Sequence, residues 1–268
     1  MEESRFAELQ NGIVLAELGG HGNGPYCAEH AAGAALAMMG TYIVDPGDDV
    51  PYPSPFVFKP GRDRYAAYLR KHVAAARAGV RAVGVSVISV ALEDTLDFLR
   101  AAEEAGADYA ALCVYSAMDM FTREGLGVAL CDPANRALLR RWSSAIAQAV
   151  TIPVIFKIGL DALDETIGTV ETISSGGVPI VHVAIGSSEA GSSDLMALGE
   201  LAGRCEFLIA GGGVADVDGA RRVLGAGAGA VAIATAAMKD PTLCGRIQQE
   251  LGRRPAAQDD LKRRRSGH

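Results

Sequence analysis

Residues 207–241 read FLIAGGGVADVDGARRVLGAGAGAVAIATAAMKDP and contain two consecutive units of strand, loop and helix. In the first unit an apolar run at 207–210 ends at Gly211, Gly212 and Gly213, and a helical segment follows at about 216–224. In the second unit the apolar run 229–234 leads to Thr235 and another helical segment. Glycines after a parallel strand let the backbone approach a ligand, and free amides before a helix favour an anion. Two such units at the end of a chain of this length predict the phosphate site of a (β/α)8 barrel, formed after strands 7 and 8. The alternative is that the three glycines form only a tight turn.

The rest of the chain repeats this alternation of strand and helix. Short apolar or β-branched runs predict six further strands, at residues 11–17, 40–45, 82–90, 109–115, 153–158 and 179–185. Helices are predicted between them at residues 26–39, 64–78, 93–105, 133–150, 162–174 and 194–202. Gly106 is expected to cap the third of these helices, and Asp132 and Pro133 to begin the fourth. Eight strands alternating with helices favour an α/β fold, a (β/α)8 TIM barrel, over a doubly wound sheet.

Length and composition fit one barrel. With 268 residues, of which 49% are hydrophobic and 21% charged, the chain can bury a large core. A barrel of this type uses about 250 residues as a single domain. We expect that domain at residues 1–252, followed by a polar tail at 253–268 whose basic cluster (KRRR, 262–265) is solvated charge rather than a nucleic-acid patch.

The charge and the cysteines exclude several classes of protein. A net charge of −7 gives no general attraction to nucleic acid or to an anionic membrane. The acidic, polar first ten residues are unlike a signal peptide, and no apolar stretch is long enough to span a bilayer. The five cysteines are odd in number, lie far apart and form no CxxC pair, which predicts reduced thiols and no metal site. We expect a soluble cytoplasmic protein that acts on a small molecule, with homo-oligomer formation left open.

Two loops are candidates for a substrate site. The glycine-rich loop at 18–25 carries His21 and would lie on the C-terminal face of the barrel, where active sites of this fold are found. His21 is assigned either to a substrate contact or to the structure of the loop. The loop at 46–61 contains five prolines and is long for a compact domain. It is predicted to be either a lid or a surface segment used in oligomer contacts.

Two polar residues interrupt apolar strands. Lys157 lies within VIFKI, where a lysine is costly to bury unless it is paired or faces a polar site. It is a candidate to contact a flavin pyrimidine edge or a phosphate, or to act as a Schiff-base nucleophile. The alternative is a structural lysine that extends to the barrel rim. His182, one strand further along, is a candidate ligand contact or a hydrogen-bonded core residue.

Further polar candidates follow strands 4 and 6. Ser116 and Asp119 come after strand 4 and share the C-terminal face of the predicted barrel. The segment 187–189 (SSE), which begins with Ser187, is predicted either to bind substrate hydroxyls or to cap a helix. Cys113 lies within strand 4 and, by its own pattern, is a core residue.

Taken in order, these segments resemble the FMN-binding TIM-barrel superfamily of dihydrouridine synthases and dihydroorotate dehydrogenases, in particular a short synthase-related branch. The similar segments are 13–20 (IVLAELGG), 106–130, 153–157 (PVIFK), His182, and the loops at 211–213 and 232–235. The resemblance implies FMN as cofactor, a turn after the first strand that contacts the flavin, and two loops that hold its phosphate. It places the following residues at the cofactor: Ala16, Glu17, Gly19, Lys157, His182, Gly211, Gly212, Gly213, Ala234 and Thr235.

The chain departs from the synthases at their catalytic motif, Asn-x-Gly-Cys-Pro, whose cysteine donates a proton to the reduced base. Ungapped alignment places Cys113 at the asparagine and Ser116 at the cysteine. A serine hydroxyl is a far weaker acid than a thiol and needs help to act in this way. The arginine that follows the histidine in the synthases and their RNA-gripping helical domain are not found in the sequence either. Dihydrouridine synthesis in tRNA is therefore not expected.

The resemblance implies an FMN-dependent oxidoreductase acting on a small unsaturated ring metabolite. Its catalytic candidates are Lys157, Ser116 and His182, and its substrate candidates are His21, Cys113, Asp119 and Ser187. Two alternatives remain on the same fold. One is a lyase or synthase that binds the phosphate of its substrate in the two loops and uses Lys157 as a Schiff base. The other is a flavin-binding protein without turnover.

Overall fold

Eight parallel strands close into a barrel. The computed structural model describes residues 5–47, 50, 52–186 and 190–252. Its strands are β1 (Gly12–Leu15), β2 (Leu36–Val44), β3 (Val57–Phe58), β4 (Ala82–Ser89), β5 (Tyr109–Cys113), β6 (Val154–Gly159), β7 (Ile180–Ala184), β8 (Phe207–Gly211) and β9 (Ala230–Ile233). They pair in the order β1, β9, β8, β7, β6, β5, β4, β2, and β2 pairs back with β1, while the short β3 adds to β2. The predicted TIM barrel is confirmed.

Helices follow the strands along the chain. They are α1 (Gly24–His30), α2 (Ala66–Ala76), α3 (Leu92–Glu104), α4 (Asp119–Thr122), α5 (Arg136–Ala149), α6 (Leu163–Ser175), α7 (Ser192–Ala202), α8 (Val217–Gly225), α9 (Thr235–Lys239) and α10 (Leu243–Gly252). Single 3-10 turns lie at Arg62–Arg64, Gly127–Cys131 and Pro133–Asn135. Within the described ranges, no helix combines the length and the apolar character needed to cross a membrane.

Alternate residues of each strand face the barrel interior, as the two-residue period of a strand requires. Ile155 of β6 and Ile180 of β7 pack in the interior cluster, whereas their sequence neighbours pack against the helices. Lys157 and His182 lie two residues further along and therefore also point inward, near the C-terminal ends of their strands. At the opposite end, Phe6 is buried in the same cluster and meets the Phe207 ring edge-on, with ring centroids 5.6 Å apart. The N-terminal segment thus closes the bottom of the barrel, and the top stays open for a site.

The predicted helix at 26–39 is wrong over its second half. Helix α1 ends at His30, Gly33 adopts a φ of +81°, and β2 begins at Leu36. All nine residues of β2 are buried, and the strand pairs with β1 at Leu36 and Ala37 and with β4 along most of its length. Alanine, leucine and methionine favour a helix in isolation, but burial between two strands overrides that preference here.

Smaller corrections concern element ends. The fourth barrel strand stops at Cys113 rather than at residue 115, so Tyr115 belongs to the loop at the barrel mouth. Helix α5 starts at Arg136. Asp132 and Pro133 begin only the 3-10 turn before it, and the Asp132 side chain makes no capping hydrogen bond. Ser187 and the tail at 253–268 lie outside the described residues.

Candidate functional site

A cavity of about 360 Å³ opens at the C-terminal end of the barrel. Small-molecule sites typically measure roughly 300–1,000 Å³. The described residues that line the cavity come from β6, β7, β8 and β9, from the segments after β1, β5, β7, β8 and β9, and from α9; they are Ala16, Tyr115, Lys157, His182, Ala184, Gly186, Gly211, Gly212, Gly213, Val214, Ala232, Ala234, Thr235, Ala236 and Lys239. Every residue that the resemblance places at the cofactor is in this set except Glu17 and Gly19. The structure therefore gathers residues from the beginning, the middle and the end of the chain, such as Ala16, Lys157 and Thr235, around one space.

The cavity exists because the inward positions at this level carry small side chains. Ala16 of the segment after β1, Gly211 of β8 and Ala232 of β9 occupy positions where larger residues would fill the barrel mouth. One level below, Val14 and Ile209 pack tightly in the interior cluster. The apolar core therefore forms the base of the cavity, and a ligand can lie on it.

The glycine loop after β8 is held closely against its neighbours. A Cβ on Gly212 would collide with the carbonyl oxygen of Gly186, and one on Gly211 would collide with that of Ala232. Gly213 has a φ of +61°, which disfavours most side chains. Packing alone therefore requires these glycines, and the tight-turn interpretation and the phosphate interpretation both account for them.

The charges near the glycine loop after β8 favour an anion on the side of the loop that faces α9. Helix α8 is already capped by its own Asp216, whose Oδ1 accepts a hydrogen bond from the Gly219 amide at 2.7 Å. The first turn of α9, in contrast, contains no acidic residue, and its Thr235 and Lys239 both line the cavity. An anion is therefore best placed between the glycine loop and the residues of α9.

A buried ion pair lies at the other side of the cavity. The Nζ of Lys157 is 3.5 Å from Oε2 of Glu17, and the two side chains are 12% and 2% exposed. Nδ1 of His182 lies 3.9 Å from the same oxygen. Lys157 and His182 are paired neighbours on β6 and β7, so the sheet register itself sets them side by side. Burial of both charges requires this pairing, because an isolated charge at this depth would be strongly disfavoured.

The ion pair continues into a buried polar network. Oγ of Ser86 donates to Oε1 of Glu17 at 3.5 Å, and Oγ1 of Thr41 lies 3.3 Å from Oγ of Ser86. Cys113 is the register neighbour of Lys157 on β5. Burial raises the pKa of the Cys113 thiol, partly offset by the charge of Lys157, so the thiol stays protonated at neutral pH.

His182 is the second titratable residue whose state the structure fixes. Burial lowers its pKa well below the usual value, and the positive charge of Lys157 lowers it further. The imidazole is therefore neutral at physiological pH and can donate one hydrogen bond and accept another.

The structure separates several predicted residues from the cavity. Oγ of Ser116 lies 3.5 Å from the Met118 amide, its carbonyl accepts a hydrogen bond from Val128, and it is not among the described lining residues. Asp119 is exposed on α4 and pairs with Arg123 at 3.2 Å. His21 is exposed in the loop before α1. Ser116 and Asp119 thus have local partners in the segment that follows β5.

Three polar side chains near the site, those of Tyr115, Lys239 and Tyr52, were not predicted from the sequence. Tyr115 is 45% exposed, lines the cavity and packs against Gly159, where a Cβ would lie 3.0 Å from its ring. Lys239 lines the cavity from the end of α9. Tyr52, from the proline-rich loop, packs so closely on Gly19 that a Cβ there would collide with its hydroxyl. Burial and, to a lesser degree, the nearby Cys113 and Glu17 raise the pKa of Tyr52 to about 12.

Tyr115 lies in the loop because β5 stops at Cys113, and Lys239 is the last residue of α9, a helix whose end was not predicted. Polar residues at those two places were the signal that could have identified them. Tyr52 carries no such signal, because only the folded loop brings it to the barrel mouth.

Comparisons with known proteins support the fold. A family model described as His_biosynth, histidine biosynthesis protein, matches residues 160–264. A solved structure described as DHODH in complex with ferulenol from Eimeria tenella is 17% identical, with a TM-score of 0.67 over 89% of this chain and 80% of that chain. No curated protein matches the sequence. The family match covers less than half of the chain and the structural match is distant, so the activity has to be argued from the site.

Proposed function

We propose that the chain is a flavin-dependent oxidoreductase that holds FMN in the cavity and acts on a small unsaturated ring compound. The observation that carries this proposal is that Lys157 and His182 line the same cavity as the two small-residue loops after β8 and β9. FMN joins a flat polar ring to a phosphate through a flexible chain, so its site needs hydrogen-bonding groups at one end and an anion site at the other. The motif resemblance to FMN-binding barrels supports the same assignment.

The residues present fit that group. The backbone at Gly212 and Gly213, with Thr235 and Lys239, would hold the phosphate, because backbone amides, a hydroxyl and an ammonium all donate to phosphate oxygens. Lys157 and His182 would contact the polar edge of the ring. The ring itself would lie on the small apolar side chains of Ala16, Ala184 and Ala232.

FMN supplies two-electron hydride transfer when it is bound, and the chain supplies orientation and electrostatics. Lys157 would donate hydrogen bonds to the ligand, and its ion-pair partner Glu17 would keep it in place. Neutral His182 donates or accepts one further bond. Tyr115, and not Ser116, would be the proton donor, because Tyr115 lines the cavity and carries a hydroxyl.

The first test is the visible absorption spectrum of the purified protein, followed by FMN titration if the protein is colourless. Bound flavin, or saturable uptake of FMN, is the expected result. A protein that remains colourless and does not bind FMN at any accessible concentration contradicts the proposal.

The phosphate end is tested with Thr235→Glu. A carboxylate there repels the phosphate, while acidic residues are well tolerated in a first helical turn, so the fold is preserved. We expect FMN affinity to fall by about tenfold or more, equivalent to about 1.4 kcal/mol. Ala137→Glu adds the same charge to the exposed first turn of α5 and serves as the matched control. Equal affinities of the two variants would place the phosphate elsewhere.

A second candidate function is a non-redox lyase or synthase that binds a phosphorylated substrate. The family match favours it, because the matched residues 160–264 include both loops and His182. The match begins after Lys157 and does not bear on the role of that residue. In that case the loops would bind the phosphate of the substrate, and Lys157 would form a Schiff base. Borohydride treatment with a phosphorylated carbonyl compound would then attach the compound to Lys157, whereas the flavoprotein proposal expects no such adduct.

A further inference from the structure

Glu17 is a residue that the resemblance places at the cofactor, but it does not line the cavity itself and instead contacts two residues that do. Its side chain is 2% exposed, and its Oε2 faces Lys157 at 3.5 Å and His182 at 3.9 Å. Within the described residues, that oxygen has no hydrogen-bond partner and is held only by these two charge contacts. Lys157 and His182 both line the space where a ligand would lie, whereas Glu17 does not.

The charges of these three side chains cancel. Lys157 carries a positive charge, the Glu17 carboxylate a negative one, and the imidazole of His182 is neutral. A ligand at this end of the cavity therefore meets hydrogen-bond donors without a net positive charge. An unpaired lysine in the same place would present a full charge, little screened because the site is buried.

We propose that Glu17 is a positioning residue that holds Lys157 and cancels its charge, so that the ring-binding end of the cavity is electrically neutral. This inference rests on the proposed FMN function and concerns the relative affinity of the site for oxidised and reduced FMN. Reduction adds electrons to the ring, and a net positive neighbour would favour the more negative, reduced form. Glu17 removes that preference.

The inference predicts an unusual pattern of reduction potentials for bound FMN. Glu17→Gln leaves Lys157 uncompensated, so the variant should bind reduced FMN at least about tenfold more tightly relative to oxidised FMN, a rise of about 30 mV for a two-electron couple. Lys157→Met leaves Glu17 beside His182 and Ser86 with no permanent cation, and a buried site of this kind takes up one proton to cancel its charge. The local charge then remains zero, so this variant should keep the wild-type potential within about 30 mV. The double variant, Glu17→Gln with Lys157→Met, removes both charges and should also keep the wild-type potential within about 30 mV.

The potentials are measured by equilibrium reduction against a reference dye at saturating FMN. Glu8→Gln is the matched control, since Glu8 lies at the opposite end of the barrel and loses the same charge; its potential should not change. If Glu17→Gln does not fold, the double variant keeps the test decisive because it removes both charges together. A potential at least about 30 mV below wild type in both Lys157→Met and the double variant would mean that Lys157 acts as an uncompensated charge.

The outcomes separate this inference from the proposed function. Bound FMN with an unchanged potential in folded Glu17→Gln overturns only the role of Glu17. Wild-type protein that takes up no FMN overturns the proposed function and this inference with it. A raised potential in Glu17→Gln alone, with wild-type values in the other variants, supports the inference.

Discussion

At the scale of single residues, His182 links the candidate site to the stability of the fold. Its pKa lies well below 6.5 in the folded protein because of burial and, secondarily, the charge of Lys157. In the unfolded chain it returns to about 6.5. Below that pH the unfolded state binds a proton that the folded state does not. The free energy of unfolding should therefore decrease as pH falls from about 6.5 toward the folded pKa, by at most about 1.4 kcal/mol per pH unit from this residue.

Denaturant unfolding at pH 7.5, 6.5 and 5.5 measures this effect. His182→Asn should weaken the pH dependence, and His21→Asn, in the exposed loop before α1, should leave it as in the wild type. His72 has a lowered pKa for the same main reason and contributes in the same direction, so a residual slope is expected in His182→Asn. Identical slopes in the wild type and His182→Asn would show that the imidazole is not buried in its neutral form.

A site residue can be predicted from the sequence when its side chain differs in polarity from the residues on either side of it. Lys157 and His182 could be identified because each interrupts an apolar strand, and the structure places both in the cavity wall. The pairing of Lys157 with Glu17 could not, because the two residues are 140 positions apart and meet only when β1 and β6 join the same barrel. Ser116 was selected by alignment to a motif, and the structure places its neighbour Tyr115 at the cavity instead.

At the scale of elements, strand and helix alternation was predictable wherever the sequence pattern and the burial agree. Strands β4, β6 and β7 fall within a residue or two of their predicted limits, because their β-branched or apolar runs are buried in the fold. The segment 26–39 was not predictable in the same way. Its alanines and methionines favour a helix locally, and only pairing with β1 and β4 makes residues 36–44 a strand.

The loop after β8 gives a prediction at this scale. Gly212→Ala should destabilise the protein by about 1–3 kcal/mol, because the added Cβ collides with the Gly186 carbonyl and the backbone must shift. Gly225→Ala is the matched control, since a Cβ at the end of α8 meets nothing within 4 Å. That change should be neutral or stabilise the helix by up to about 1 kcal/mol. Denaturant midpoints of the two variants decide the matter, and a neutral Gly212→Ala would contradict the close packing of this loop.

At the scale of the whole molecule, the cavity draws on strands from the beginning and the end of the chain. Ala16 follows β1, Lys157 lies on β6, and Thr235 follows β9. Because β1 pairs with β9, these residues come together only when the barrel closes. A ligand bound in the cavity therefore stabilises the closed barrel as a unit and not one of its loops.

This coupling predicts a ligand-dependent melting temperature. FMN at about 100 times its dissociation constant should add about 2.7 kcal/mol to the free energy of unfolding, and each kcal/mol raises Tm by about 2–4 °C for domains of 150–250 residues. Riboflavin has the same ring without the phosphate, so at equal concentration it should raise Tm much less if the loops after β8 and β9 bind that phosphate. Thr235→Glu should reduce the FMN shift toward that of riboflavin and leave the riboflavin shift unchanged. Equal shifts for FMN and riboflavin in the wild type would show that the two loops contribute nothing to binding, and the glycines after β8 would then serve only the packing of their turn.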